Sequence, residues 1–196
     1  MSETFNIDHK QIDVKEDLFT WSNLISLSRI LVAIPVVYLH YNNGQQITWL
    51  ITALVLYGII SDYLDGLVAR WTNQVSEWGK ILDPVADKFC AFFLFLYAVY
   101  IDIIPLWFFV IEIARDTIIV LGSAYIQKLR GKVAMAVMSG KISVNVLGLY
   151  WIAAFFFPQA VDVQSMLMGA SLTLMFYSFF DYLHRFNLIR KGVKFN

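Results

Sequence analysis

The chain has 196 residues, a length suited to one domain; 59% of them are hydrophobic and 15% charged, and the mean hydropathy is +0.62. A water-soluble globule carries about a quarter of its residues as charged side chains, so the composition excludes an ordinary soluble enzyme and indicates an integral membrane protein. The net charge of zero says little about partners, and no nucleic acid is expected among them; the lone cysteine, Cys90, excludes an intramolecular disulfide framework and a cysteine-rich metal site.

Residues 1–10 read as loosely attached. In 11–21, Ile12, Lys15 and Phe19 fall near one helical face with Leu18 beside them, which suggests a short interfacial helix with Trp21 at headgroup level; an irregular leader is the alternative. The polar, acidic start does not read as a cleavable signal peptide. Thus 1–21 form a leader and juxtamembrane segment, and 22–196 a membrane domain. No charged residue occurs in 30–61, 142–161 or 163–180, and each run is long enough to cross a bilayer as a helix, which needs about 20 largely apolar residues. The first span is expected over 24–41, with Pro35 placed to kink it, and His40 reads as interfacial. A turn follows at 41–46, and a second span runs from 47 into an acidic stretch. A polar connection covers 72–82, after which Asp83 reads as an N-cap with Pro84 at the first helical position of a third span ending near 101. Further spans are expected over 105–129, 137–157 and 164–184. The fold class is therefore all-α: six transmembrane helices with a short N-terminal interfacial helix.

Orientation follows from the basic residues. The turns at 41–46, 101–105 and 157–163 contain no Lys or Arg, whereas every basic residue except Arg115 falls toward the opposite side. The positive-inside rule then puts both termini and the acidic stretch in the cytoplasm, in a multi-pass protein of a bacterial-type cytoplasmic membrane.

The acidic stretch, 62–87, carries the chemistry. Asp62 and Asp65 are three residues apart and share a helix face with Ala69; Asp83 and Asp87 are four apart on the next helix. Four ionised carboxylates at close range repel unless a cation compensates them. Oxygen-only ligands, with no cysteine or histidine nearby, favour a hard ion such as Mg²⁺ or Mn²⁺, and Mg²⁺ is commonly shared with substrate phosphates. Gly66 and Ala69 leave room beside the carboxylates, Arg70 is suited to phosphate oxygens, and Gly79 permits close approach or an unusual backbone angle. The plain alternative is a set of solvated aspartates at helix ends, which accounts for any one of them but not for eight residues of fixed type at fixed spacing. A calcium loop lacks its alternating ligands.

The run Asp62-x2-Asp65-Gly66-x2-Ala69-Arg70-x8-Gly79-x3-Asp83-x3-Asp87 resembles the complete signature of the CDP-alcohol phosphotransferases. The six-span plan is similar, and Trp21-Ser-Asn23-Leu-Ile-Ser-Leu-Ser-Arg29 resembles the start of that family's first span, with Ser22 where a proline is usual. The resemblance implies transfer from a CDP-linked lipid, normally CDP-diacylglycerol, to an alcohol with release of CMP. It implies that Asp62, Asp65, Asp83 and Asp87 hold two divalent ions, Mg²⁺ or Mn²⁺, and that Asp87 is also the general base. Asn23, Gly66, Ala69, Arg70 and Gly79 would form the CDP site, and a homodimer among membrane lipids is expected.

The acceptor is less sharply written. Glu112, Arg115 and Asp116 lie within the fourth span, Arg115 about 15 Å past Pro105 at the helical rise; charges this deep normally face a bundle interior and pair. A structural ion pair and a substrate contact both fit. Ser139-Gly140-Lys141 is similar to the Gly-Lys of bacterial phosphatidylglycerophosphate synthases, whose lysine is read as a phosphate contact. Those proteins often carry an arginine where Ser123 stands and a second lysine near Ser143. Arg115-Asp116, the serine before Gly-Lys and Tyr177-Ser-Phe-Phe-Asp181-Tyr182 are more similar to the family's cardiolipin synthases. Glycerol 3-phosphate is placed first, with Arg115, Lys141 and Arg185 as acceptor contacts; phosphatidylglycerol is the alternative acceptor. Outside this class, a cation- or proton-coupled transporter also uses acids in spans, and a membrane scaffold gives no reason for the spacing.

Overall fold

The computed structural model describes the backbone of residues 4–7, 10–15, 21–72, 74–76, 79–130 and 138–190, and the side chains of 24–25, 27–61, 85–128 and 138–190. The chain divides into two units, Met1–Tyr97 and Ala98–Asn196. Among the described residues, six helices make up most of the structure: α1 (Trp21–Asn42), α2 (Trp49–Thr72), α3 (Gly79–Tyr100), α4 (Leu106–Arg130), α5 (Met138–Phe156) and α6 (Val161–Arg190).

Three short strands correct the all-α expectation: β1 (Thr4–Ile7), β2 (Lys10–Lys15) and β3 (Gln74–Ser76). β1 pairs antiparallel with β2, Phe5 opposite Ile12, and β2 pairs in parallel with β3, Val14 opposite Val75. The interfacial helix expected from residue 11 is thus replaced by strand as far as Lys15, and 16–20 lie outside the described residues. Phe5 and Ile7, and Ile12 and Val14, are two residues apart, a spacing that puts each pair on one face of its strand.

In the first unit, α1 packs on α2, and Ser28 Oγ meets Tyr57 Oη at 2.8 Å between them. Arg29, Ala33, Val36 and His40 are all buried, at the spacing of one helical stripe. The stripe is polar at both ends. Arg29 forms an ion pair with Asp87 of α3, and His40 Nδ1 lies 2.7 Å from Tyr97 Oη of the same helix. These contacts stand eleven residues apart on α1 and ten on α3, about 16 and 15 Å at the helical rise, so the two helices run parallel. His40 is 2% exposed and closes a core contact, which corrects its reading as interfacial.

The helix ends follow from local chemistry. Thr48 caps α2, its Oγ1 accepting from Ile51 N at 3.4 Å. α1 closes in a Schellman turn: Gln45 N donates to His40 O at 2.9 Å and Gly44 N to Tyr41 O at 3.3 Å, with Gly44 at φ 65°. α3 closes the same way, Ile103 N to Ala98 O at 2.9 Å, around Asp102 at φ 59°. α3 begins at Gly79, five residues before Pro84, its expected first residue, so Asp83 is not its N-cap and Pro84 is the sixth helical residue. The interior proline gives up one bond to the Lys80 carbonyl; the helix tolerates this within its second turn. α1 continues through Pro35.

In the second unit, α6 packs against α5 and α4. Its core holds Phe108, Ile126, Ala154, Phe155 and Met175. The Phe108 and Tyr150 rings meet edge to face at 5.1 Å, and Tyr125 stacks on Phe186 at 6.2 Å. The Phe186 and Tyr182 rings lie over Gly122 of α4. Large apolar side chains also face outward in both units, among them Trp49 (81% exposed) and Met166 (76%). Among the described residues, α5 and α6 are long and apolar enough to cross a membrane.

Candidate active site

The structure puts Asp62 and Asp65 in the last three turns of α2, and Asp83 and Asp87 in the first three turns of α3. Backbone spacing therefore gives each pair one helix face. Gly66, Ala69 and Arg70 follow on α2, and Gly79 opens α3. The side chains of Asn23, Asp62, Asp65, Ala69, Arg70 and Asp83 lie outside the described residues. The connection between the pairs contains β3, which the N-terminal β2 joins in register: Asp13 with Gln74, Lys15 with Ser76. The leader is thus tied to the loop between the two halves of the signature.

Asp87 is the one member of the quartet whose side chain is described. Its Oδ1 forms an ion pair with Arg29 Nη1. A buried guanidinium must be compensated because it stays charged, and α1 delivers it at the depth of Asp87. The sequence offered one sign of this: Arg29 is the last charge before the long uncharged run. The donor set fits a hard divalent ion, being carboxylate oxygens alone on two helix faces.

The second unit gathers a polar cluster at the α5 N-terminus. Arg115 Nη1 donates to Asp116 Oδ1 at 2.7 Å, and its Nη2 donates to Ser178 Oγ at 2.6 Å, joining α4 to α6. Ser139 Oγ donates to Asp181 Oδ2 at 2.7 Å, joining α5 to α6. Arg185 Nε stands 3.6 Å from Asp181 Oδ1. A Cβ on Gly140 would lie 3.9 Å from Arg115 Nη2, which puts the guanidinium beside the α5 N-terminus. Arg115, Arg185 and the Gly140–Lys141 step are therefore neighbours; Lys141 itself is exposed. Glu112 Oε2 is buried with no hydrogen-bond partner among the described residues. Sequence reasoning missed Ser178, whose only signal is its place three residues before Asp181. It also missed the close Ser123–Tyr182 hydroxyl contact between α4 and α6.

Residues 19–177 match the CDP-alcohol phosphatidyltransferase family model. The chain belongs to the CDP-alcohol phosphatidyltransferase family, a family of membrane-bound transferases. It is 36% identical over 109 residues to the CDP-diacylglycerol–glycerol-3-phosphate 3-phosphatidyltransferase of Aquifex aeolicus, covering 54% of this chain and 59% of that protein. It is 32% identical over 107 residues to the cardiolipin synthase (CMP-forming) of Streptomyces coelicolor, covering 52% and 49%. To the human cardiolipin synthase (CMP-forming) it is 34% identical over 113 residues, covering 57% and 36%. The chain thus spans between about a third and three-fifths of the length of these relatives.

Proposed function

We propose that the protein transfers the phosphatidyl group of CDP-diacylglycerol to an alcohol acceptor and releases CMP. What carries this reading is the complete carboxylate signature, on two successive helices, inside the segment that matches the family. Asp62, Asp65, Asp83 and Asp87 would hold two divalent ions, Mg²⁺ or Mn²⁺. Bound there, such ions neutralise the charge that builds on a pyrophosphate during displacement. Arg70 binds pyrophosphate oxygens, and Asn23, Gly66, Ala69 and Gly79 shape the CDP site. Asp87 takes the proton of the acceptor hydroxyl as that oxygen attacks the phosphorus bearing diacylglycerol. The P–O bond to the CMP phosphate breaks and its electron pair leaves with CMP. Six membrane spans, both termini and the site on the cytoplasmic side, let the acyl chains stay in the bilayer while the nucleotide reaches water. A homodimer belongs to the same reading.

Glycerol 3-phosphate is the acceptor proposed first, with Arg115, Lys141 and Arg185 receiving its phosphate. A second acceptor, phosphatidylglycerol, is favoured by the charge balance of the polar cluster. Arg115 and Arg185 are already engaged by Asp116 and Asp181, and Glu112 adds a further acid. Ser123 is tied to Tyr182 and Ser143 is 1% exposed, at the places where the phosphatidylglycerophosphate synthases carry extra cations. A cluster with as many acids as bases suits a phosphodiester better than a dianionic monoester. Purified protein given CDP-diacylglycerol with glycerol 3-phosphate, phosphatidylglycerol, inositol phosphate or serine, its products resolved by mass, separates these readings. Phosphatidylglycerophosphate supports the first, cardiolipin the second, and a product only with inositol phosphate or serine overturns both.

A further inference from the structure

Asp87 is given two tasks by the proposed reaction, metal ligand and base, and both need its carboxylate held in one orientation. Arg29 is buried on the inner stripe of α1, and its Nη1 meets Asp87 Oδ1. Oδ1 is itself buried, although the Asp87 side chain is 45% exposed. The carboxylate is therefore fixed through one oxygen against α1, and its exposed part lies away from Arg29. A guanidinium presents a planar fork of donors and keeps its charge, so it sets the angle of a carboxylate as well as compensating it. Burial closes Arg29 to lipid headgroups and sets its charge against Asp87.

We infer that Arg29 is a positioning residue: it grips Asp87 Oδ1 so that the remainder of the carboxylate is presented to a divalent cation and to the acceptor hydroxyl. This rests on the reading of 62–87 as a divalent-ion site. Two opposed effects set the sign of the test. A cation beside the site repels Mn²⁺, so its removal would tighten binding. A partner that orients a metal-ligating carboxylate strengthens binding, and its loss typically costs about 10–100-fold in metal affinity or activity. Orientation governs if Arg29 acts as inferred.

The experiment measures Mn²⁺ binding by electron paramagnetic resonance, on the purified full chain without substrate. It compares wild type, Arg29→Gln, Arg29→Lys, Asp87→Asn and the Arg29→Gln/Asp87→Asn pair. Arg29→Gln is expected to weaken Mn²⁺ binding about 10–100-fold and Arg29→Lys to weaken it less. The pair should bind no more weakly than Asp87→Asn alone, because Arg29 acts through that carboxylate. Unchanged or tighter binding in Arg29→Gln overturns the inference, and so does an equal loss with and without Asp87. If Arg29→Gln does not fold, Arg29→Lys in the two backgrounds makes the same comparison. Wild-type protein that binds no Mn²⁺ overturns the divalent-ion reading itself, a result distinct from any failure of Arg29.

Discussion

Asp87 sits where two requirements meet. It belongs to the carboxylate quartet proposed to hold divalent ions, and it faces a buried arginine from another helix. Replacing it by asparagine keeps the shape and an oxygen for Arg29 but removes the negative charge and the proton acceptor. Asp87→Asn is therefore expected to lower CMP release by about 10²–10⁴-fold, the usual worth of a general base, while CDP-diacylglycerol binding is largely retained. Binding measured by ligand protection against thermal unfolding, alongside turnover, checks this; retained turnover removes Asp87 as the base. The signature residues were legible because ionised side chains between apolar runs are conspicuous and helical spacing sorts them into faces. Arg29 was less so. A charge at the edge of a span usually means topology or snorkelling, and only the parallel alignment of α1 with α3 shows that it meets Asp87. Ser178 gave still less, since serines are common in such helices.

At the scale of elements, the helices were readable from the length of the apolar runs, within a few residues at most ends. The sheet was not. β2 has six residues and β3 three, too few for a period of two to stand apart from a helical face. Pairing between residues 13–15 and 74–76 depends on chain sections that sequence alone does not connect. The start of α3 was misplaced because Asp-Pro is a common N-terminal signature, whereas the helix begins five residues before Pro84. The turn closing α1 makes a sharper test. A Cβ on Gly44 would meet nothing within 4 Å, yet its φ is 65°, so Gly44→Ala suffers backbone strain without a clash and should destabilise by about 1–2 kcal/mol. Gly58, inside α2, is equally open but has no such φ, so Gly58→Ala should stabilise by about 0.5–1 kcal/mol. Thermal unfolding of the two variants in one detergent should give shifts of opposite sign. A rise in Tm for Gly44→Ala would contradict the left-handed turn.

For the whole molecule, the outward apolar side chains and the uncharged runs point to a membrane, and the family match places the chain in a family of membrane-bound transferases. Parallel α1 and α3, with α2 between them in sequence, agree with helices that alternate in direction, and the basic residues set the proposed orientation. The central claim is transfer from a CDP-linked lipid assisted by divalent ions, and the most direct test is CMP release by purified full-length chain from CDP-diacylglycerol. Glycerol 3-phosphate or phosphatidylglycerol would be supplied as acceptor, with Mg²⁺ or Mn²⁺ present or removed by a chelator. The account predicts CMP in equal amount to the new phospholipid with metal, and none after chelation. CMP release that survives full chelation, or no release with either acceptor and either metal, would contradict it.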